Sequence, residues 1–207
     1  MTDPRVRIVE RGYDRISDRF AEWRDEIEGD PRAEWAQDLI ARLPEGACVL
    51  ELGCGSGSRE TVELARRFRL TGVDVSAEQI RRARETVPEV DFLQADFLEL
   101  DLEAGPFDAV CSFYVLNHVP RERLGELMAR IATWLRPGGL FLSAFGATDN
   151  PGWTGDLLGA ETFFAGYEPR ENRRLVVAAG FTILRDEVVT FTEPEGPARF
   201  HWMLARR

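Results

Sequence analysis

The chain of 207 residues carries a formal net charge of -10, and 44% of its residues are hydrophobic. This length favours one domain, and the composition is that of an ordinary globular protein rather than a disordered or fibrous one. An acidic chain lacks the clustered cations that grip a phosphate backbone, so the charge argues against nucleic acid as a partner. All 26 basic residues are arginine, which excludes any mechanism that requires a lysine.

Targeting segments and metal motifs are not recognised in the sequence. No apolar run reaches the ~20 residues that span a bilayer, and the amino terminus lacks the apolar core of a signal peptide. The sequence therefore predicts a cytoplasmic protein without membrane contact. Cys48, Cys54 and Cys111 lack the paired spacing of a zinc or redox motif, so they are interpreted as buried hydrophobes, and no metal is expected.

Hydrophobic periodicity predicts two helices ahead of the first strand, over residues 5–27 and 32–43. Strands and helices then alternate, which predicts a mostly parallel sheet with helices on both faces. The strands of this part are predicted at ACVLEL, LTGVDV, VDFLQA, FDAVCSFYVL and LFLSAF. The intervening helices include SAEQIRRARETV and residues 121–135, the second of which is expected to end at Pro137-Gly138-Gly139.

The last third of the chain contains a predicted lid, a helix and a hairpin. Residues 146–168 fit neither the helical nor the strand period, so they are predicted to form an inserted lid. A helix is expected between Pro169 and Gly180. The segments FTILRDEVVTF and ARFHWMLAR are predicted to pair as an antiparallel hairpin.

Three glycines mark the end of the first strand. Gly53, Gly55 and Gly57 remove side chains where the strand meets a helix, so a ligand can approach backbone N–H groups at the helix amino terminus. The second strand ends at Asp74, where a carboxylate can accept both hydroxyls of a ribose. The spacing predicts a nucleoside derivative as ligand.

Glu51 and Ser58 narrow the choice of nucleoside. The dinucleotide fingerprint has glycine at the position of Ser58, and a buried carboxylate at Glu51 would repel a pyrophosphate. The same carboxylate suits an ammonium group. S-adenosylmethionine carries an ammonium, a sulfonium and no phosphate.

Four segments in order, LELGCGSG, QADFLEL, FDAVCSFYVLNHVP and LRPGGLFL, resemble the motifs of class I S-adenosylmethionine-dependent methyltransferases, in the small-molecule branch of type 11/25. The resemblance runs from about residue 45 to the carboxyl terminus. It implies a Rossmann-like, doubly wound α/β fold with a seven-stranded, mostly parallel sheet and an antiparallel last strand. It also implies S-adenosylmethionine as methyl donor and S-adenosylhomocysteine as product.

The family's cofactor contacts carry over onto matching positions of this sequence. The methionine part would lie against Glu51, Gly53, Cys54, Gly55 and Gly57, the ribose against Asp74, and the adenine against Val75, Asp96 and Phe97. GYDRISDRF resembles a YDxxA-type leader segment, in which the tyrosine closes over the cofactor's carboxylate. Tyr13 is therefore a candidate cofactor contact, although it could equally anchor its helix to the core.

His118 and the predicted lid are the candidates for contact with a methyl acceptor. His118 follows the fourth strand, at the edge where substrate should lie, and is the candidate catalytic base for an acceptor that must lose a proton. Its alternative role is to cap a helix or brace a loop, and His201 is interpreted as structural. The lid aromatics are predicted to cover an apolar or aromatic acceptor, or to form a local minicore: Trp153, Phe163, Phe164 and Tyr167.

We predict a single methyltransferase domain that acts on a small-molecule acceptor by in-line displacement, as a monomer or homodimer. Its parts are an N-terminal helical cap (1–44), a cofactor-binding core (45–145), the lid (146–168) and a C-terminal helix and hairpin (169–207). A module that binds S-adenosylmethionine without turnover remains an alternative. An RNA or protein methyltransferase is disfavoured by the charge and the lack of an (N/D)PPY signature, and a nicotinamide oxidoreductase by Ser58 and Glu51.

Overall fold

The computed structural model of the protein describes residues 3–207, apart from the side chain of Asp25. Two helices precede the sheet, α1 (Pro4–Asp25) and α2 (Arg32–Arg42). α1 begins after Asp3, whose carboxylate accepts the Arg5 backbone N–H at 2.9 Å. This acceptor satisfies one of the free N–H groups that every helix start leaves.

The remaining elements build a large and a small sheet. The strands are β1 (Cys48–Leu52), β2 (Arg69–Asp74), β3 (Asp91–Gln94), β4 (Phe107–Ser112), β5 (Leu135–Gly146), β6 (Asn150–Leu157), β7 (Ala160–Gly166), β8 (Thr182–Glu193) and β9 (Gly196–Arg206). The further α-helices are α3 (Arg59–Ala65), α4 (Ala77–Thr86), α5 (Leu124–Trp134) and α6 (Pro169–Ala178). In the large sheet the strand order is β3-β2-β1-β4-β5-β9-β8.

The large sheet confirms the predicted fold class. β1 pairs in parallel with β2 and β4, and β9 runs antiparallel between β5 and β8. Successive residues of β1 enter opposite cores: Val49 packs with Trp35 of α2, and Leu50 packs with Ile131 of α5. Helices therefore cover both faces, as a doubly wound sheet requires.

Two predicted boundaries near β4 and β5 are wrong. β4 ends at Ser112, not at residue 116, because Tyr114 adopts a left-handed backbone conformation (φ 57°) that a strand cannot continue through. α5 ends at Trp134, and Leu135 already pairs with Phe107 as the first residue of β5. Residues 137–139 consequently lie inside a strand instead of ending a helix. They form an irregularity between the Leu135–Phe107 and Leu140–Ala109 pairs, and their backbone hydrogen-bonds to Arg207 instead.

Residues 146–168, predicted as an aperiodic lid, contain an antiparallel hairpin with one register shift, between Asn150 and Trp153. β6 pairs with β7, with Trp153 opposite Phe164. Glycines at positions 152 and 155 carry no side chain, so the strand alternation cannot be read from hydrophobicity. The hairpin packs closely on α1: a Cβ on Gly12 would lie 2.6 Å from the Glu161 carbonyl oxygen. The division of the chain into cap, core and lid remains a prediction.

No helix within residues 3–207 is both long and apolar enough to cross a bilayer. In the same described part of the chain, no group of three or more His, Cys, Asp or Glu side chains is placed to hold a metal ion.

Candidate functional site

A crevice opens where β1, β2 and β4 end, with α1 lying across it. Nine predicted cofactor contacts and the candidate base line this crevice: Tyr13, Glu51, Gly53, Cys54, Gly55, Asp74, Val75, Asp96, Phe97 and His118. Gly57, the tenth predicted contact, packs instead against α4, where its Cβ would lie 3.4 Å from Val87 Cγ2. The crevice lies between β1 and β4, where the strand order reverses, which is where open α/β sheets bind ligands.

The glycine turn after β1 has the geometry that glycine alone adopts cheaply. Gly53 and Gly55 have φ angles of 68° and 55°. The Gly53 N–H donates to the Val73 carbonyl at 2.7 Å, which holds the turn against the end of β2. A Cβ on Gly53 would lie only 2.5 Å from Val115 Cγ2, so this position has no room for a side chain.

Ser58 has a structural reason to replace the last glycine of a dinucleotide fingerprint. Its hydroxyl caps α3 by accepting the Thr61 N–H at 3.1 Å, and the Thr61 hydroxyl accepts the Ser58 N–H at 3.0 Å. The Thr61 hydroxyl also donates to Glu51 Oε1 at 3.1 Å. The capping box thereby fixes the Glu51 side chain at the base of the crevice.

Glu51 is a buried carboxylate with one unpartnered oxygen. Its side chain is almost fully buried, and its Oε2 has no hydrogen-bond partner among residues 3–207. Burial raises the pKa of Glu51 to about 8. A cationic ligand would supply the missing partner and favour the charged form.

The two aspartates predicted to bind the nucleoside differ in how far their oxygens are satisfied. Asp74 accepts the Gly55 N–H on Oδ2 and the Ser76 N–H on Oδ1, both at 2.9 Å, so it braces the turn and keeps one lone pair on each oxygen. Burial raises its pKa to about 6. Asp96 accepts the Leu98 N–H on Oδ1, but its buried Oδ2 has no partner in the described part of the chain.

His118 and Tyr13 are directly hydrogen-bonded, which the sequence did not indicate. Tyr13 Oη lies 2.9 Å from His118 Nε2, and His118 Nδ1 lies 2.8 Å from the carbonyl oxygen of Phe163 in β7. Burial lowers the pKa of His118 to about 4 and raises the pKa of Tyr13, so both are neutral at pH 7. The pair connects α1, the hairpin and the loop after β4.

The four predicted lid aromatics do not line the crevice within the described residues. Phe163 is buried against α1, and Tyr167 lies under the Arg121 guanidinium at 4.9 Å. Trp153 is 53% exposed and stacks on Phe164, whose ring centroid is 5.0 Å from that of His118. Phe164 is thus the lid residue whose ring contacts His118, whereas Phe163 reaches His118 through its backbone carbonyl.

Several residues of the crevice wall were not predicted from the sequence. Gln79 of α4 is 1% exposed, and both polar atoms of its amide lack a hydrogen-bond partner in the described residues. Arg32 binds Asp30 at 2.9 Å and lies 4.8 Å above the Tyr114 ring. Gln79 stands at capping-box spacing from Ser76 in the sequence, but its side chain makes no capping bond. Nothing in the local sequence marks Arg32 or Tyr114, because α2 and the loop after β4 meet only in the folded protein.

Two further wall residues did have a sequence signal. Phe20 and Arg24 line the crevice together with Val6, Val9 and Tyr13. These five positions are separated by 3, 4, 7 and 4 residues, the spacing of one helical face. That face of α1 covers the crevice.

Buried polar atoms without partners (Glu51 Oε2, Asp96 Oδ2 and the Gln79 amide) surround one crevice at the switch point of a Rossmann-like sheet. Such atoms cost free energy unless a ligand or water binds them. The fold and the site therefore define a nucleoside-binding α/β protein, and the donor and acceptor set fits S-adenosylmethionine.

Comparisons with known proteins narrow this class. Residues 49–139 match the family model described as a methyltransferase domain. Trans-aconitate 2-methyltransferase from Azoarcus sp. (strain BH72) is 37% identical over 115 residues, 54% of this chain and 44% of that protein. Ubiquinone biosynthesis O-methyltransferase from Bordetella avium (strain 197N) is 30% identical over 149 residues, 66% of this chain and 61% of that protein. The chain thus spans about half the length of these relatives.

A solved structure matches along the whole chain. The Burkholderia thailandensis 1,6-didemethyltoxoflavin-N1-methyltransferase, with bound 1,6-didemethyltoxoflavin and S-adenosylhomocysteine, is 26% identical with a TM-score of 0.65. The match covers 100% of this chain and 91% of that one. The family-model match over residues 49–139 and the likeness to this structure along the whole chain support the resemblance to class I S-adenosylmethionine-dependent methyltransferases seen in the sequence.

Proposed function

We propose that this protein transfers a methyl group from S-adenosylmethionine to a small-molecule acceptor. The observation that carries the proposal is the unpartnered Glu51 carboxylate oxygen, buried beside the glycine turn in the crevice. A buried carboxylate at this point repels a phosphate and binds an ammonium group. S-adenosylmethionine offers that ammonium together with a methyl group on a sulfonium, activated for in-line displacement.

Three groups of residues in the crevice suit three parts of the cofactor. Glu51 would bind the ammonium, and the free lone pairs of Asp74 would accept the ribose hydroxyls. Asp96 Oδ2 would accept the exocyclic amine of adenine, between Val75 and Phe97. The task of the chain is then to align methyl and acceptor and to exclude water.

The named relatives support a small-molecule acceptor. Their names specify trans-aconitate, ubiquinone biosynthesis and 1,6-didemethyltoxoflavin. The net charge of -10 agrees with this because it disfavours a nucleic acid acceptor. The absence of a nucleic acid partner and the monomeric or dimeric state remain predictions.

Asp74→Asn is expected to weaken S-adenosylhomocysteine binding by about 10- to 100-fold, or ~1.4–2.8 kcal/mol. The amide keeps one acceptor oxygen but replaces the other with a donor, which removes one ribose acceptor and one of the two acceptors that brace the turn. Isothermal titration calorimetry measures the change. The matched control is Asp91→Asn, an exposed aspartate at the opposite end of the neighbouring strand β3. Equal affinities for wild type and Asp74→Asn would remove Asp74 from the ribose site.

Transfer itself is tested with S-adenosylmethionine labelled in the methyl group and a panel of small hydroxyl, amine and carboxylate compounds. The proposal expects label in at least one acceptor and an equal amount of S-adenosylhomocysteine. Binding of S-adenosylhomocysteine without transfer to any member of the panel would favour a non-catalytic binding module instead.

A further inference from the structure

The hydrogen bonds of His118 fix the direction of every proton in the Tyr13–His118 pair. A carbonyl oxygen only accepts, so His118 Nδ1, 2.8 Å from the Phe163 oxygen, must carry the imidazole proton. His118 is neutral, which leaves Nε2 with a lone pair. The Tyr13 hydroxyl, 2.9 Å away, must therefore donate its own proton to Nε2.

As a result, the Tyr13 oxygen presents only lone pairs to the crevice. Its single proton is engaged by His118; both residues line the cavity, but Tyr13 is half-buried whereas His118 is only 6% exposed. An acceptor substrate thus meets Tyr13 before it meets His118. Tyr13 therefore faces the acceptor, and His118 receives the Tyr13 hydroxyl hydrogen bond behind it; the sequence analysis had assigned contact with the acceptor to His118.

We propose that Tyr13 is the catalytic residue that takes the acceptor's proton, and that the acceptor is a hydroxyl or N–H compound rather than a carboxylate. This inference rests on the proposed function. A hydroxyl or N–H group donates to the waiting lone pair of Tyr13 Oη. A carboxylate has no proton to donate and would face that lone pair with its own.

The proposed proton relay runs from the acceptor through Tyr13 to His118, and it balances without any further reactant. The bond between sulfur and the methyl carbon breaks as the bond between the methyl carbon and the acceptor oxygen or nitrogen forms. The acceptor's proton moves to Tyr13 Oη, and the original Tyr13 proton moves to His118 Nε2. The products are a methylated neutral acceptor, S-adenosylhomocysteine and an imidazolium, so the positive charge leaves the sulfonium and appears on His118.

The structure also explains why the relay passes through Tyr13 without leaving a tyrosinate. Burial raises the pKa of the Tyr13 hydroxyl, so it must regain a proton as it gives one up. Burial disfavours the imidazolium and lowers the pKa of His118, and the Phe163 carbonyl, which accepts the Nδ1–H, offsets part of that cost. Because its pKa is low, His118 then loses this proton to solvent.

The first test reads proton positions without turnover. In ¹⁵N-labelled protein at pH 7 with S-adenosylhomocysteine, imidazole ¹⁵N shifts should show His118 protonated on Nδ1 and free on Nε2. Only two histidines are present in the sequence, and a His201→Gln sample identifies the second set of signals. Tyr13→Phe should move the His118 Nε2 signal downfield, because that nitrogen loses its hydrogen bond.

The matched control is Ser17→Ala, which removes a buried hydroxyl from the next turn of the same helix. Its oxygen has no hydrogen-bond partner within residues 3–207, and it does not belong to the described crevice wall. The His118 shifts should not change in this variant. A proton on Nε2, or identical shifts in Tyr13→Phe and wild type, would overturn the relay whether or not cofactor binds.

The second test compares two probes with labelled S-adenosylmethionine: catechol, which offers hydroxyl groups, and trans-aconitate, which offers carboxylates. If the proton relay operates, we expect label in catechol and none in trans-aconitate. Tyr13→Phe should lower kcat for catechol by about 100-fold or more, the usual range for a lost acid–base group, with little change in S-adenosylhomocysteine affinity.

Two outcomes would contradict the inference. Methylation of trans-aconitate at a rate that Tyr13→Phe leaves unchanged would overturn the acceptor class. A parallel loss of kcat and S-adenosylhomocysteine affinity in Tyr13→Phe would make Tyr13 a cofactor contact. If neither probe is methylated, the ¹⁵N spectrum decides whether the Tyr13–His118 proton relay exists. Failure of the proposed function appears separately, as an absence of S-adenosylhomocysteine binding or as binding without transfer to any member of the acceptor panel.

Discussion

Glu51→Gln is expected to stabilise the ligand-free protein at high pH and, at the same time, to weaken cofactor binding. Burial raises the pKa of Glu51 from an ordinary 4.5 to about 8. Between these pH values the folded protein retains a proton that the unfolded chain has lost, so the free energy of unfolding falls as pH rises through this window. Above pH 8 the folded protein carries a buried charge with one unpartnered oxygen.

Glutamine removes this penalty and keeps the hydrogen bond from Thr61. We expect the melting temperature of Glu51→Gln to exceed that of the wild type by about 5 °C or more at pH 9, and by little at pH 4.5. Affinity for S-adenosylhomocysteine at pH 7 should fall about tenfold or more, because a charge-assisted bond to the ammonium is lost.

Thermal unfolding across pH and calorimetric titration measure the two effects. The control is Glu89→Gln, an exposed glutamate that should change neither. A melting temperature of Glu51→Gln that is below wild type at pH 9, together with full cofactor affinity, would mean that the Glu51 carboxylate is a structural anchor rather than a ligand for a cation.

Gly53→Ala is expected to cost about 2–5 kcal/mol of unfolding free energy. The alanine would adopt a left-handed conformation at about 1–2 kcal/mol, and its Cβ, 2.5 Å from Val115 Cγ2, would overpack the turn by a further ~1–3 kcal/mol. The turn also carries the crevice wall, so S-adenosylhomocysteine affinity should fall with stability. Urea denaturation and calorimetry measure both losses.

Gly46→Ala separates backbone strain from the clash. Gly46 has φ 73°, close to the 68° of Gly53, but a Cβ there would meet no heavy atom within 4 Å among the described residues. This control should lose only about 1–2 kcal/mol and keep its cofactor affinity. Equal losses of unfolding free energy at the two positions would show that the Val115 side chain moves aside, and that close packing does not require glycine at position 53.

Much of the fold was readable in the sequence because local pattern and tertiary context agree there. Buried parallel strands are continuously apolar, so β1 and β2 were found, and capping chemistry at Ser76 placed the start of α4. The strand ends placed Glu51 and Asp74 at one crevice, since the carboxyl ends of neighbouring parallel strands meet. The glycines and acids of these ends line the crevice as predicted, although their roles toward the cofactor remain proposals.

The errors arise where distant segments decide the outcome. Leu135 belongs to a strand because Phe107 pairs with it, and no local pattern reveals that partner. The hairpin of β6 and β7 was missed because the glycines of β6 remove the alternation of hydrophobic and polar side chains that marks a strand. Contact between Tyr13 and His118 joins residues 105 apart in the chain, so neither residue type nor spacing could assign the pair.

A crystal structure of the protein with S-adenosylhomocysteine tests the central claim most directly. We expect the ligand in the crevice between β1 and β4, with its ammonium on Glu51, its ribose hydroxyls on Asp74 and its sulfur on the side of Tyr13. Density for the ligand elsewhere, or a crevice filled by the protein's own side chains at saturating ligand, would contradict it.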